Sequence, residues 1–261
     1  MKVAGKIKLA AALLLGITTF AIAGEVPLQP GRYESEFGHL LIEQMPDQSL
    51  KFEITVVGRS QNICALEGRI VGSQARLDRH CIVRFRAQNR LIEVRSEGAS
   101  CAANCGAGTT FTGSYELPIE GCDNDARARA RADAQQLYAE QNYRAAYELL
   151  APMLARCSAH LAWLERIEMS NDLALTHYHL GDFAACKNTL APWQKDLALT
   201  DAALAKQWGV YSPYPSLIHS VRTTLALCEA ANTSLLPGIL KILCTDGDID
   251  IVPSHFARRA I

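Results

Sequence analysis

The sequence predicts an α+β chain: an N-terminal antiparallel β meander, closed as a barrel or packed as a sandwich, followed by an all-helical repeat domain. Three observations predict it. Over residues 31 to about 120, apolar and polar residues alternate between breaks marked by glycine. Past Gly121 glycine almost vanishes, and alanine and leucine dominate. Within that second stretch a motif recurs after 40 residues. Composition agrees with a folded chain, since 49% of the 261 residues are hydrophobic. The 26 Lys and Arg nearly balance 27 Asp and Glu, so net charge supplies no general attraction to nucleic acid or an anionic membrane.

The first element is an export leader. Lys2, Lys6 and Lys8 precede an apolar run from Leu9 to Phe20, and Ala21-Ile22-Ala23 has the small-x-small form of a cleavage site. The run is too short to favour a membrane span. The expected divisions are therefore a leader over 1–23, a β domain over 24–121, a helical domain over 122–245 and a tail over 246–261. Cleavage removes three lysines and no acid, taking the formal charge from −1 to −4. All nine cysteines lie in the remainder, where a periplasmic or extracellular space lets disulfides persist.

The strands follow in order. Leu50, Phe52, Ile54 and Val56 share one face, with Lys51, Glu53 and Thr55 on the other. Cys81, Val83 and Phe85 alternate with Arg84 and Arg86, and Ile92 and Val94 follow a turn at Gln88-Asn89-Arg90. Gly31-Arg32-Tyr33 opens the meander and Gly113-Ser114-Tyr115 ends it, a likeness that suits first and last strands meeting at a closure seam.

The helices begin where Asp123 or Asp125 can cap an Ala/Arg-rich turn, with Arg127, Arg129 and Arg131 expected on a solvent face. Tyr138, Tyr143, Ala146, Leu150, Ala151 and Pro152 return as Tyr178, Phe183, Cys186, Leu190, Ala191 and Pro192. The pattern reads as helix, tight turn, helix, repeated. Helices over 125–141 and 143–157 form the first hairpin. A third pair, over 197–208 and 217–231, turns at Pro213 and Pro215, and 235–244 caps the end. The segments Gln141 to Ala146 and Leu180 to Cys186 resemble the turn and second-helix start of tetratricopeptide repeats. They differ in period, 40 residues instead of about 34, in the place of the proline, and in Cys186 standing for a small alanine.

Cysteine pairing follows from hairpin geometry where that geometry is local. Cys122 and Cys157 lie equally far from the turn at Gln141-Asn142 and are expected to bond. Cys186 and Cys228 fall at one end of the array and form a second expected pair. Cys157 and Cys186 stand at opposite ends of a helix, about 30 Å apart. In the β half, Cys64 and Cys81 on neighbouring strands, and Cys101 with Cys105 across a small loop, are the expected pairs. Cys244 is then left over.

No reaction is legible. Cys101 and Cys105 lack a second ligand pair for zinc, and His177 and His179, two apart on a helix, point to different faces. Asp246, Asp248 and Asp250 lack the further oxygen ligands of a calcium loop. Nucleophile elbow, HExxH helix, phosphate loop and dinucleotide fingerprint are missing, so a non-enzymatic chain without metal or cofactor is expected. The charge feature is six arginines between Arg76 and Arg95. Arg76, Arg79, Arg84 and Arg86 are docking candidates for an acidic protein surface or an anionic glycan, and Asn104 in the Gly/Ala-rich loop 98–110 is a further partner-binding candidate.

The strand meander with its cysteines, ending in Cys101, Cys105-Gly106, Phe111, Gly113 and Tyr115, is similar in architecture to periplasmic inhibitors of cell-wall lytic enzymes and to immunity proteins. That resemblance implies a binding protein whose 98–110 loop enters a partner's cleft, the partner being another protein, with no nucleic acid and no membrane insertion. The alternative is an envelope or secretion adaptor, with Tyr138, Tyr178, Trp163 and Trp208 lining the concave face of the helical repeat.

Overall fold

The computed structural model describes residues 26–209 and 212–234. The expected leader, the capping helix over 235–244 with Cys244, and the acidic tail lie outside the described residues. Eight strands form one antiparallel sheet: β1 (Gly31–Ser35), β2 (Gly38–Gln44), β3 (Leu50–Val57), β4 (Ile63–Ile70), β5 (Gln74–Asp78), β6 (Cys81–Gln88), β7 (Leu91–Glu97) and β8 (Gly113–Glu116). Their spatial order is β4-β3-β2-β1-β8-β7-β6-β5. The first and last strands do meet, with Glu34 opposite Glu116. Tyr33 and Tyr115 tie those strands to the chain before them in the same way, each hydroxyl donating to a carbonyl four residues back, Gln29 at 3.0 Å and Phe111 at 2.7 Å.

The sheet thus curls into a nearly closed barrel whose opening lies between β4 and β5. These strands share a tight turn at which Val71 and Gln74 exchange backbone hydrogen bonds, and then they part. Leu77 fills the gap beside Gly68, where a Cβ would stand only 2.8 Å from the leucine methyl. The alternation seen in sequence sorts the faces as expected: Leu40, Phe52, Ile54, Phe85, Ile92 and Tyr115 are buried inside. Phe52 and Phe85 meet edge to face at 5.0 Å.

In the helical half, Asp123 caps α1 (Asn124–Ala139) by accepting from the Ala126 N–H at 2.9 Å. α1 and α2 (Tyr143–Cys157) form one hairpin, α3 (Trp163–His179) and α4 (Phe183–Leu190) the next. The two turns are alike bond for bond. Gln141 and Gly181 take φ of 59° and 79°, and the side chains of Asn142 and Asp182 accept from the N–H groups of Ala145 and Ala185. The 40-residue sequence repeat is a repeat of backbone geometry. The hairpins diverge at the proline. α2 runs through Pro152 to Cys157, whereas α4 stops at Leu190 and a 3-10 turn, Ala191–Trp193, leads to α5 (Gln194–Leu197).

α6 (Asp201–Trp208) and α7 (Tyr214–Ser234) depart from a third hairpin of the same kind. α7 lies against α3 and α4, and Trp208 at the end of α6 turns to the β half, where Arg59 sits 4.9 Å over its ring. No described helix is long and apolar enough to cross a membrane.

Cys122 bonds Cys157 and Cys186 bonds Cys228, the two pairs that hairpin geometry favours. The β-half pairs differ from expectation: Cys64 bonds Cys105, and Cys81 bonds Cys101. β4 and β6 are not neighbours, because β5 and the barrel opening lie between them, so Cys64 and Cys81 do not face each other. Four disulfides fit an exported chain. The arginines at the start of α1 also correct the sequence reading. Arg127 is 3% exposed and Arg131 is half-buried, leaving Arg129 alone of the three on a solvent face.

Candidate partner-binding site

The segment joining β7 to β8 is the clasp of the barrel. Gly98 starts it in a conformation open to glycine, at φ 100°, and a Cβ there would lie 1.8 Å from the His80 carbonyl. A 3-10 helix, Ala99–Asn104, then places Cys101 against β6, and Cys105 reaches β4. Polar bonds hold both sides. Ser100 Oγ donates to Asp78 at 3.0 Å, the Gly106 N–H to the Ile63 carbonyl at 2.9 Å, and Asn62 Nδ2 to the Ala107 carbonyl at 2.6 Å. Hydrogen bonds from the His80 N–H and then Ser100 hold the Asp78 carboxyl below its ordinary pKa. Ala102, Ala103, Asn104, Ala107 and Gly108 remain exposed on this tied-down segment.

Arg76, Arg79, Arg84 and Arg86 are all exposed, with Arg76 on β5 sharing the outer face of the sheet with Arg84 and Arg86 on neighbouring β6. Arg84 is engaged by Glu97 through two bonds, at 2.5 and 2.9 Å, and by Gln74 at 2.9 Å. Arg95 pairs with Glu93. Arg76, Arg79 and Arg86 have no ion pair with the described residues. Arg79 follows Asp78, which Ser100 bonds, so it stands beside the clasp and Asn104 lies on it, while Arg84 and Arg86 lie further along β6.

No family model, curated protein or solved structure matches the chain.

A second feature, overlooked when Arg127 and Arg131 are read as a solvent face, joins the halves. The Trp163 N–H at the start of α3 donates to the Glu36 carbonyl in the β1–β2 turn, at 3.1 Å. Arg127 reaches Glu34 of β1, the Cys122 carbonyl, and Glu165 of α3 at 2.9 Å. Burial alone would lower the pKa of this guanidinium, but Glu165 and Glu34 raise it overall. One turn on, Arg131 pairs with Glu168 and with Asp172, the latter at 3.2 Å. Burial raises the Asp172 carboxyl, and Arg131 opposes that shift. The signal was present as complementary stripes: Arg127 and Arg131 four apart on one helix, Glu165, Glu168 and Asp172 at helical spacing on another.

The four aromatics assigned to a concave face divide. Trp163 stacks on Trp208 at 5.0 Å, and Trp208 on Tyr214 at 4.0 Å, at the junction. Tyr138 and Tyr178 stay at the hairpin ends. There Tyr143 stacks on the exposed His179 at 4.2 Å, with Tyr138 edge-on at 5.3 Å. His177 instead meets Tyr147 at 5.2 Å, so the two imidazoles face different neighbours. Among the described residues no three His, Cys, Asp or Glu side chains are grouped to hold a metal ion.

Proposed function

We infer that the protein is an exported, non-enzymatic protein-binding protein that acts in the periplasm as an inhibitor or immunity protein, docking its clasp into a cleft of a lytic enzyme or toxin. The observation that carries this reading is the clasp itself. An exposed segment of small side chains, tied down by the Cys101 and Cys105 disulfides, loses little conformational entropy on docking, so more of its contact energy appears as affinity. Asn104 on the clasp and Arg79 beside it supply polar contacts.

The test is capture from a periplasmic extract by the wild-type chain and by Ala103→Arg. A protein retained by the first and lost with the second, whose hydrolytic activity falls on adding the wild-type chain, is the expected result. The adaptor reading rests on the Tyr143–His179 stack at the hairpin ends, where the imidazole is exposed and the half-buried tyrosine backs it. Capture unaffected by Ala103→Arg but lost with Tyr143→Ala would transfer the function there.

A further inference from the structure

Independently of the clasp, a cleft of about 230 Å³ lies where the halves meet, between the β1–β2 turn and the first turns of α1 and α3. Phe37, Val57, Trp163 and Leu164 give it apolar walls. Glu34 and His160 also line it, 7% and 5% exposed, and each keeps one atom without a hydrogen-bond partner in the protein, Oε1 of the carboxylate and Nδ1 of the imidazole. A buried polar group left unmatched is costly, and a charged one more so. Arg127 occupies the other carboxylate oxygen of Glu34. Arg32, whose side chain is 45% exposed, brings its Nε only to 3.9 Å from Oε1, beyond hydrogen-bond reach. Both unmatched atoms can accept, the imidazole nitrogen when the ring proton is on Nε2. The carboxylates on the lining (Glu34, Glu36, Glu165) outnumber its guanidinium groups (Arg32, Arg127). Burial, and then Arg32, lower the pKa of His39 on the same lining, so that imidazole adds little positive charge near neutral pH.

We propose that this cleft binds an alkyl cation, a primary ammonium or guanidinium on an apolar stem, whose N–H groups fill the free acceptors of Glu34 and His160. The stem lies against Phe37 and Trp163, whose rings shield its methylenes from water. Arg32 is the internal competitor: its guanidinium hovers where the ligand's head belongs and must swing outward. The same chemistry comes from a free amine or from a lysyl or arginyl side chain of a docked protein.

The experiment titrates the full chain with n-butylammonium chloride, with a lysine blocked at both ends as amides, and with sodium butyrate and n-butanol. The readout is the Trp163 indole N–H resonance. Saturable shifts with the ammonium and none with butyrate or butanol are expected. Arg32→Ser should tighten ammonium binding about 2–5-fold, the worth of an exposed ion pair. Glu34→Gln should abolish it. Because that variant also frees Arg127, Ala162→Met, which fills the cleft and leaves the Glu34–Arg127 pair in place, should abolish it as well, with an unchanged circular dichroism spectrum. Equal binding of the blocked lysine assigns the site to a protein side chain; its exclusion assigns it to free amines. A comparable response to butyrate or butanol overturns the proposal. So does a lack of saturable shift in both wild type and Arg32→Ser, which would leave the two acceptors to water.

Discussion

In the β half one interior collects inward side chains from all eight strands, whereas the helical half divides its core into two clusters, one around Leu150 and Met169 and one around Ile167 and Ile218. The disulfides follow the same division. Those of the β half fasten a single segment across an opening, and those of the helical half fasten the chain before α1 to the end of α2, and α4 to α7. A barrel with one gap needs a closing piece, while stacked hairpins need their neighbours. Arg127 belongs to both halves, since it pairs with β1 and with α3.

The sharpest break of that contrast is Arg127→Ala. Removing one member of a buried charge cluster strands Glu34 and Glu165, and the expected loss is about 3–5 kcal/mol of stability. Arg129→Ala, on the solvent face one helical step away, should stay within about 0.5 kcal/mol. Chemical denaturation of the two variants checks this. Equal losses would mean that the halves are not coupled through Arg127.

Next come the disulfides. The double substitution Cys64→Ser with Cys105→Ser should cost about 2–4 kcal/mol and make residues 98–110 the first site of proteinase K cleavage. Cys186→Ser with Cys228→Ser should cost a similar amount yet leave that segment protected. Cleavage at 98–110 in both variants would erase the distinction between the halves.

The hairpin turns offer a smaller and cleaner comparison. A Cβ at Gly181 meets nothing within 4 Å, so Gly181→Ala tests backbone conformation alone and should cost about 1 kcal/mol. Gln141 holds the same left-handed conformation without being glycine, and Gln141→Gly should stabilise by about 0.5 kcal/mol. Opposite signs in thermal melts are the expected outcome.

The smallest effect is that of pH. Burial lowers the pKa values of His177 and His179, so the unfolded chain binds protons more readily than the folded one. Stability from these groups is complete above the ordinary histidine pKa and falls as pH drops below it. Melts of the wild type from pH 7.5 to 5.5, set against His177→Gln with His179→Gln, should show a shallower decline for the double variant.

Legibility in the sequence followed the distance over which each relation acts. Alternation assigns the faces of β3 and β6, and the 40-residue recurrence assigns both hairpins, because each is set by neighbours within a turn or a strand. Cys122 and Cys157 were matched by counting outward from one turn. Cys64 and Cys105 were not, because their meeting depends on the opening between β4 and β5, which arises only after the sheet has curled. Arg127 escaped for the same reason, since Glu34 and Glu165 stand 93 and 38 residues away. The Glu34–His160 cleft needs both halves in place and leaves no local mark.

The pairing of β1 with β8 has a consequence for how the β half could be rearranged. Its first and last strands lie side by side, about 4.8 Å apart across the sheet, with Glu34 opposite Glu116. A unit whose two ends share one place can be transplanted into a surface loop of another protein. It can also be re-cut at Gly72 with its old ends fused, and no strand has to move. The linear order of the strands is one of several that this barrel accepts. What it requires is their circular order.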